Sequence, residues 1–444
     1  MANNDTANKE VPGQIRRGKK RKHPDDPVRE VFKAVRSGNA DLLSELLQHT
    51  DASERTSALE TKTIYLKKDQ VFWDLGVKCT PLIVAAGNGN LDCVKVLLKY
   101  KADMESRCGG RDDDDNASFL HQGYTPLLMA ARNGHFDVVS CLVENGADVN
   151  SPENNDLTPL MMACKSGHVN VVTFLVEHGA RIHLQDKVGK TALHYAIKGH
   201  NDREIMRCLI ENGADVNAGA DGSCLSTPLM LAIPSTRCSV DAVTFLLEHG
   251  AIADVQNKDG ETALHNAVKY NFLGKAHVLL THGASQSVYD SKQLTPLLSA
   301  SNLGKTSMVE CFINRPECTK EQRIDALELL GASFATSHFH YINPDPGRAF
   351  EYIKCGMEER FQDRSHPVLK QPMEHVEAYQ NRKECQTLDE LAQIEGDVDA
   401  IIMESLVITE GILGSVDNTK LTVHIRNLAN NCYWQLRNFA TCIQ

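Results

Sequence analysis

Seven threonines, each opening the same short phrase, recur through this 444-residue chain at nearly constant spacing. The phrases are Thr80-Pro81-Leu82, Thr125-Pro126-Leu127, Thr158-Pro159-Leu160, Thr191-Ala192-Leu193-His194, Thr227-Pro228-Leu229, Thr262-Ala263-Leu264-His265 and Thr295-Pro296-Leu297. The steps between threonines are 45, 33, 33, 36, 35 and 33 residues. A period of this length means one supersecondary unit repeated, each unit burying its apolar face only against its neighbours. Such a chain makes a solenoid with a long surface and no cleft by default. Binding is therefore the first expectation, ahead of catalysis.

Within each unit the residues have physical reasons. Thr caps a helix, and Pro at the next position presets φ for the first turn. Small residues follow (Ala85-Ala86, Ala130-Ala131, Ala163-Cys164), which let neighbouring helices approach closely. Gly89, Gly134 or Gly167 then ends the first helix in a left-handed conformation. A second helix carries apolar residues at helical spacing, as in Val138, Val139, Leu142 and Val143. It stops at Gly146-Ala147-Asp148, Gly179-Ala180, Gly213-Ala214-Asp215, Gly250-Ala251 or Gly283-Ala284. The period and the Thr-Pro-Leu-His phrase together are the ankyrin signature. The predicted fold is all-α: an ankyrin-repeat solenoid of about eight units over 28–315. Its first unit is degenerate, with Ala34-Val35-Arg36-Ser37-Gly38-Asn39 and Leu42, Leu43, Leu46 and Leu47 but no Thr-Pro.

A net charge of −11 argues against nucleic acid as a general partner and fits basic peptides better. The first twenty residues have no apolar core of signal-peptide type, and no apolar run reaches the ~20 residues that span a bilayer. The fourteen cysteines are scattered with no Cys-x-x-Cys pair, as expected of reduced thiols inside a cell. Residues 1–27 are expected to be a disordered basic tail. Within it, Arg16-Arg17-Gly18-Lys19-Lys20-Arg21-Lys22 reads either as a nuclear-import signal or as a solvated basic run. The expected location is the cytoplasm, with the nucleus added if that run is an import signal.

Two insertions stretch the early units, near 51–78 and 106–123. The first carries Tyr65, Phe72 and Trp73; the second carries Arg111, Asp112, Asp113, Asp114, Asp115, Phe119 and His121. Long loops in a compact array bind something or stay disordered. The four aspartates have three readings: a solvated loop, an acidic wall that attracts a basic peptide end, or a calcium loop. The last lacks the Gly and the distal Glu of an EF-hand. From about Pro316 the repeat phase is lost, and residues 316–444 read as paired helices of tetratricopeptide-like character, a second interaction module.

No catalytic constellation is present. No Gly-rich phosphate loop follows a strand, no Cys/His set has zinc spacing, and no Gly-x-Ser-x-Gly elbow occurs. His135, His168, His194 and His265 sit where ankyrin units use histidine to bond backbone groups. No enzyme activity, cofactor or metal is expected. On an ankyrin array the concave face comes from hairpin tips just before Thr and from the positions just before the mid-repeat Gly. Among the first are Tyr124, Asn155 and Leu157; among the second are Asn88, Arg132, Asn133, Lys165, Ser166, Lys198, Lys269 and Tyr270. The predicted peptide site comprises Asp112 to Asp115, Phe119, Tyr124, Arg132, Asn133, Leu157, Lys165, Ser166 and Lys198.

The segment after the repeats carries a more specific likeness. Residues 323–335, Arg-Ile-Asp-Ala-Leu-Glu-Leu-Leu-Gly-Ala-Ser-Phe-Ala, resemble the region that follows the ankyrin array in the Fem (feminization) family. So do Glu359-Arg360-Phe361-Gln362-Asp363, residues 378–385 (Ala-Tyr-Gln-Asn-Arg-Lys-Glu-Cys), and Met403-Glu404-Ser405-Leu406-Val407-Ile408 before Ile412-Leu413-Gly414. Fem proteins are substrate receptors of cullin-2 RING ubiquitin ligases. The resemblance implies that the groove captures C-terminal degrons while other subunits transfer ubiquitin, so this chain itself would be non-catalytic. Elongin and cullin-2 would be recruited through a von Hippel–Lindau-type box. No such box is identified before Gln444, so the sequence is expected to be a piece of a longer protein. An ankyrin scaffold without ligase recruitment is the alternative. The resemblance also departs in places. Where relatives that read Arg-ended degrons place an acid before the mid-repeat Gly of the fourth unit, this chain has Lys165-Ser166, and Leu128 stands where they have Trp.

Overall fold

The computed structural model describes residues 27–64, 78–109, 123–199, 202–219, 226–236, 238–335, 345–362, 368 and 384–413. Asp112 to Asp115, Phe119 and the basic run at 16–22 lie outside these residues. The chain divides into two compact units, 1–126 and 127–444.

The first unit contains the helix pairs Pro27–Ser37 with Ala40–His49 and Pro81–Asn88 with Leu91–Lys99. Without Thr-Pro, the opening pair relies on Asn39, whose side chain accepts from the Leu42 amide at 3.0 Å. The two pairs are tied by Asn90, which donates to the Val35 carbonyl at 2.9 Å. Residues 51–78 are not all loop. Asp51 caps a helix at Ala52–Glu60, accepting from the Ser53 and Glu54 amides. Thr63–Ile64 then pairs antiparallel with Lys78–Cys79. This helix buries only Ala58 and Leu59, so it leaves no apolar stripe for sequence reasoning to find.

In the second unit the pairs are Pro126–Asn133 with Phe136–Glu144, Pro159–Ser166 with Val169–Glu177, and Ala192–Lys198 with Asp202–Glu211. Pro228–Ala232 with Val240–Glu248, Ala263–Lys269 with Leu273–Thr281, and Pro296–Asn302 with Thr306–Ile313 follow. Thr158, Thr227 and Thr295 accept from the amide three residues on at 3.3, 3.3 and 3.2 Å, each with Pro at N1. Where the phrase is Thr-Ala-Leu-His, the histidine completes a capping box. The Thr191 and Thr262 amides each donate to the ring Nδ1 of His194 or His265 at 3.1 Å. Each Nε2 then faces a carbonyl of the next hairpin, Ser226 at 3.2 Å and Leu294 at 3.0 Å. An Nδ1 that accepts from a backbone amide fixes the Nε2–H tautomer, so both rings are neutral struts, and burial lowers the pKa of each.

Three of the steps between neighbouring hairpins are laced by side chains. Asn150 donates to Gly179 O and accepts from Arg181 N; Asn217 does the same with Gly250 and Ile252; Asp254 accepts from Ser285 N. At Gly134 nothing larger is tolerated. Its φ is +75°, and a Cβ there would stand 2.4 Å from His168 Nδ1, the ring whose Nε2 faces the Arg132 carbonyl at 3.1 Å.

The 35-residue step after Thr227 has a structural counterpart. Pro234 stops that unit's first helix at Ala232. The carbonyls this leaves open are met by Lys275, whose ammonium donates to Ala232, Ile233 and Ser235 at 2.8, 2.8 and 2.7 Å while the residue is only 5% exposed.

Beyond the repeats lie helices Lys320–Ala335, Pro346–Phe361, Leu388–Ala392 and Val398–Leu413. The first two pack closely because Gly331 and Gly356 face the partner helix. A Cβ on Gly331 would meet Ala349 O at 2.7 Å, and one on Gly356 would meet Glu328 Cγ at 2.5 Å. Leu329, Phe350, Ile353, Leu391, Ile401 and Ile408 join in one apolar cluster. No helix of the described residues is long and apolar enough to cross a membrane.

Candidate functional site: the inner-helix face of the second unit

Among the described residues, the hairpins before Thr158, Thr191, Thr262 and Thr295 are each built on a residue five positions before the threonine. At Asp186 the amide donates to Lys190 O at 2.9 Å, and the carboxylate Oδ1 accepts from the amides of Val188 and Lys190, both at 2.8 Å. Asn257 and Asp290 repeat this pattern. Glu153 is the longer variant: its carboxylate takes the Asn155 amide at 2.9 Å and the Asn155 side chain at 3.3 Å, and burial raises its pKa. Short polar side chains thus close each hairpin. Successive tips are joined by backbone, Lys187 N to Asn155 O at 3.1 Å and Ser291 N to Asp259 O at 2.9 Å.

Seven residues after the threonine, in the last turn of four of the first helices, stand Arg132, Lys165, Lys198 and Lys269. The position suits a cation, since a helix C-terminus carries partial negative charge. Lys165 and Lys198 are exposed, whereas Arg132, Asn133, Ser166 and Leu157 are half-buried. The helices bearing Lys165 and Lys198 pack directly against each other. Between them rises Tyr195. Its hydroxyl donates to Asp186 Oδ2 in a very short hydrogen bond, and the Lys165 ammonium lies 5.9 Å from its ring centroid. Burial, then the hydrogen bond donated to Asp186, pushes the tyrosine pKa up, so the phenol stays protonated. Lys198 is shifted down by burial and then by the charges of Lys190 and Lys165.

The structure therefore brings Lys165 and Lys198 together around a residue the sequence reading passed over, Tyr195, with Asp186 beneath it and Lys190 beside it. The hairpin-tip rule, applied to the fourth unit of the ladder as it was to its neighbours, would have found Lys190. Leu157, at the matching place one repeat earlier, accepts Glu153 N through its carbonyl at 3.0 Å. Tyr124 belongs to the first unit and is only 6% exposed, so its ring is committed to the fold rather than offered as an anchor; its amide donates to Cys108 Sγ at 3.2 Å. Tyr270, by contrast, is 49% exposed. Among the described residues no group of three or more His, Cys, Asp or Glu is placed to hold a metal ion. The surface offers charge and hydrogen bonds along several repeats, which suits an extended chain.

Comparison with known proteins agrees with this architecture. The family model for ankyrin repeats (three copies) matches residues 31–153, 108–186, 141–220, 179–256 and 229–324. Protein fem-1 homolog C of Xenopus laevis is 36% identical over 156 residues, 35% of this chain and 24% of that protein. The human fem-1 homolog C is 35% identical over the same shares, and the Drosophila melanogaster fem-1 homolog CG6966 is 37% identical over 133 residues, 30% of this chain and 19% of that one. The match thus spans about a quarter of the length of the first of these relatives. The ankyrin repeat domain of human ASB11 aligns with a TM-score of 0.45 at 29% identity, covering 53% of this chain and 97% of that domain.

Proposed function

The chain belongs to the ankyrin-repeat family and has Fem proteins among its relatives, and from that premise we propose that it is a substrate receptor. Its inner-helix face holds the C-terminal peptide of a target protein, and a cullin-RING ubiquitin ligase, recruited through elongin and cullin-2, modifies that target. The observation that supports this reading most is the run of cations at one repeat position, Arg132, Lys165 and Lys198 on three consecutive first helices. A free chain end presents a carboxylate, and such ends are captured by clustered donors. Asn133, Leu157 and Ser166 flank that run and complete the proposed contact set within the second unit.

The chain contributes recognition only. Ubiquitin transfer would be performed by the other subunits of the ligase. The test has two arms. A C-terminal peptide array, with each peptide carrying a free or an amidated carboxyl end, is probed with this chain. Separately, the protein as encoded by its whole gene is used to recover elongin and cullin-2 from cells. Binding that needs the free carboxylate, together with recovery of the ligase subunits, is the expected result. Binding to internal sequences, indifferent to amidation and without ligase subunits, would identify an ankyrin scaffold instead.

A further inference from the structure

The repeats of the second unit provide their own control. In the unit opened by Thr262, the residue just before the threonine is Glu261 and the residue seven after it is Lys269. They form an ion pair at 3.3 Å. In the unit opened by Thr191 the same two positions hold Lys190 and Lys198. A scaffold position that satisfies its lysine internally in one repeat therefore faces a second lysine in another. Lys165, at the matching last-turn position one repeat earlier, adds a third cation over the Tyr195 ring.

The nearby acids do not neutralise this group by contact. Asp186 spends both carboxylate oxygens on the Val188 and Lys190 amides and the Tyr195 hydroxyl. Glu153 spends its own on Asn155. Both are buried beneath the surface. Among the described residues none of the three lysines has an ion-pair partner. The mutual repulsion is visible in Lys198, whose charged form is disfavoured by Lys190 and Lys165 after burial.

We infer that this face selects acidic peptides: an extended segment bearing two carboxylates, one meeting Lys165 and the other meeting the Lys190–Lys198 pair. The inference rests on the receptor reading above and specifies its substrate class. Packed helices stand ~8–10 Å apart and an extended chain rises ~3.3 Å per residue, so the two acidic groups sit about three residues apart. In a C-terminal peptide, one of them can be the terminal carboxylate itself. Tyr195, held upright by Asp186, separates the two cationic positions and offers its ring to the peptide between them.

The test uses fluorescence anisotropy of the full chain with labelled peptides of one backbone sequence. At the last and fourth-from-last positions they carry Glu, Gln or Lys, each with free and amidated ends. The Glu peptide is expected to bind about tenfold tighter than the Gln peptide at low salt, with the gap closing as ionic strength rises. Lys190→Glu installs the arrangement that the Thr262 unit already tolerates, so it should fold. It is expected to erase the Glu preference, weakening the Glu peptide more than the Gln peptide, whose one remaining carboxylate is its free end. Equal binding of Glu, Gln and Lys peptides that still requires the free carboxyl end overturns this inference and leaves the receptor reading standing. No binding by any peptide overturns both. A single-stranded oligonucleotide that binds the same face more tightly than the Glu peptide also overturns it.

Discussion

Arg360 donates to Glu328 at 2.5 Å in an interior where the two residues are 2% and 0% exposed. The same guanidinium nitrogen reaches Glu384 at 3.1 Å. Nearby, Glu404 accepts the Cys385 amide at 2.8 Å. Burial, with Glu384 and Glu328 adding their charge, pushes Glu404 up to about 7. The helices of the post-repeat region are thus joined by an ionic cluster that is sensitive to proton concentration.

The direction of that sensitivity follows from linkage. Glu404 ionises at a higher pH folded than unfolded, so its contribution to stability is complete below pH ~4.5 and is lost as pH rises through about 7. Glu404→Gln keeps an acceptor for Cys385 and cannot ionise. Urea denaturation at pH 8 is expected to show the variant more stable, by on the order of 2–3 kcal/mol, with the difference vanishing near pH 4.5. A variant less stable at both pH values would show that the charge is compensated in the fold.

His194 and His265 act with the opposite sign. Their pKa values are lowered by burial, so their contribution is present above the ordinary histidine value of 6.5 and is lost as pH falls below it. His194→Asn preserves an acceptor for the Thr191 amide but gives up the bond to the Ser226 carbonyl. It is expected to cost about 1 kcal/mol at pH 8 and to flatten the acid limb of the stability profile below pH 6.5. An unchanged acid limb would mean that other groups drive acid unfolding.

Lys275→Met keeps the length of the side chain and removes its three hydrogen bonds to Ala232, Ile233 and Ser235. Each buried carbonyl left unmet costs about 1–3 kcal/mol, so a total loss of about 3 kcal/mol or more is expected. Chemical denaturation of the two proteins measures it. A loss under about 1 kcal/mol would mean that water replaces the ammonium at the broken helix end.

Gly331→Ala sets two effects against each other. Alanine favours the helix by about 1 kcal/mol, while the added methyl collides with Ala349 O and with Ile353 N at 2.8 Å, backbone atoms that cannot rotate away. Overpacking costs about 1–3 kcal/mol, so a net destabilisation is expected. A raised melting temperature would show that the helices part without penalty.

How much of this was legible in the sequence depended on distance along the chain. The threonine ladder, its caps and the glycine stops are local, and the neutral capping histidines follow from the same phrase. Lys275 was not legible, because the carbonyls it serves lie 40 to 43 residues earlier and nothing in its own helix marks it as other than a surface lysine. The burial of Tyr124, placed in the predicted peptide site by its position before Thr125, was not legible either, because position in the hairpin says nothing of what packs over the ring. Tyr195 and Asp186 were passed over for a related reason: their bond joins hairpin to helix, and each residue alone looks ordinary.

The exchange of Glu261–Lys269 for Lys190–Lys198 bears on how such a surface can change. The residue before the threonine lies outside both helices and takes no part in capping, so its identity can drift while the stack beneath is untouched. One substitution there turns a self-satisfied site into one that seeks a partner, and one more turns it back. An array built this way keeps its selectivity in residues that carry almost none of its folding free energy, and a new clientele can be acquired without first risking the scaffold.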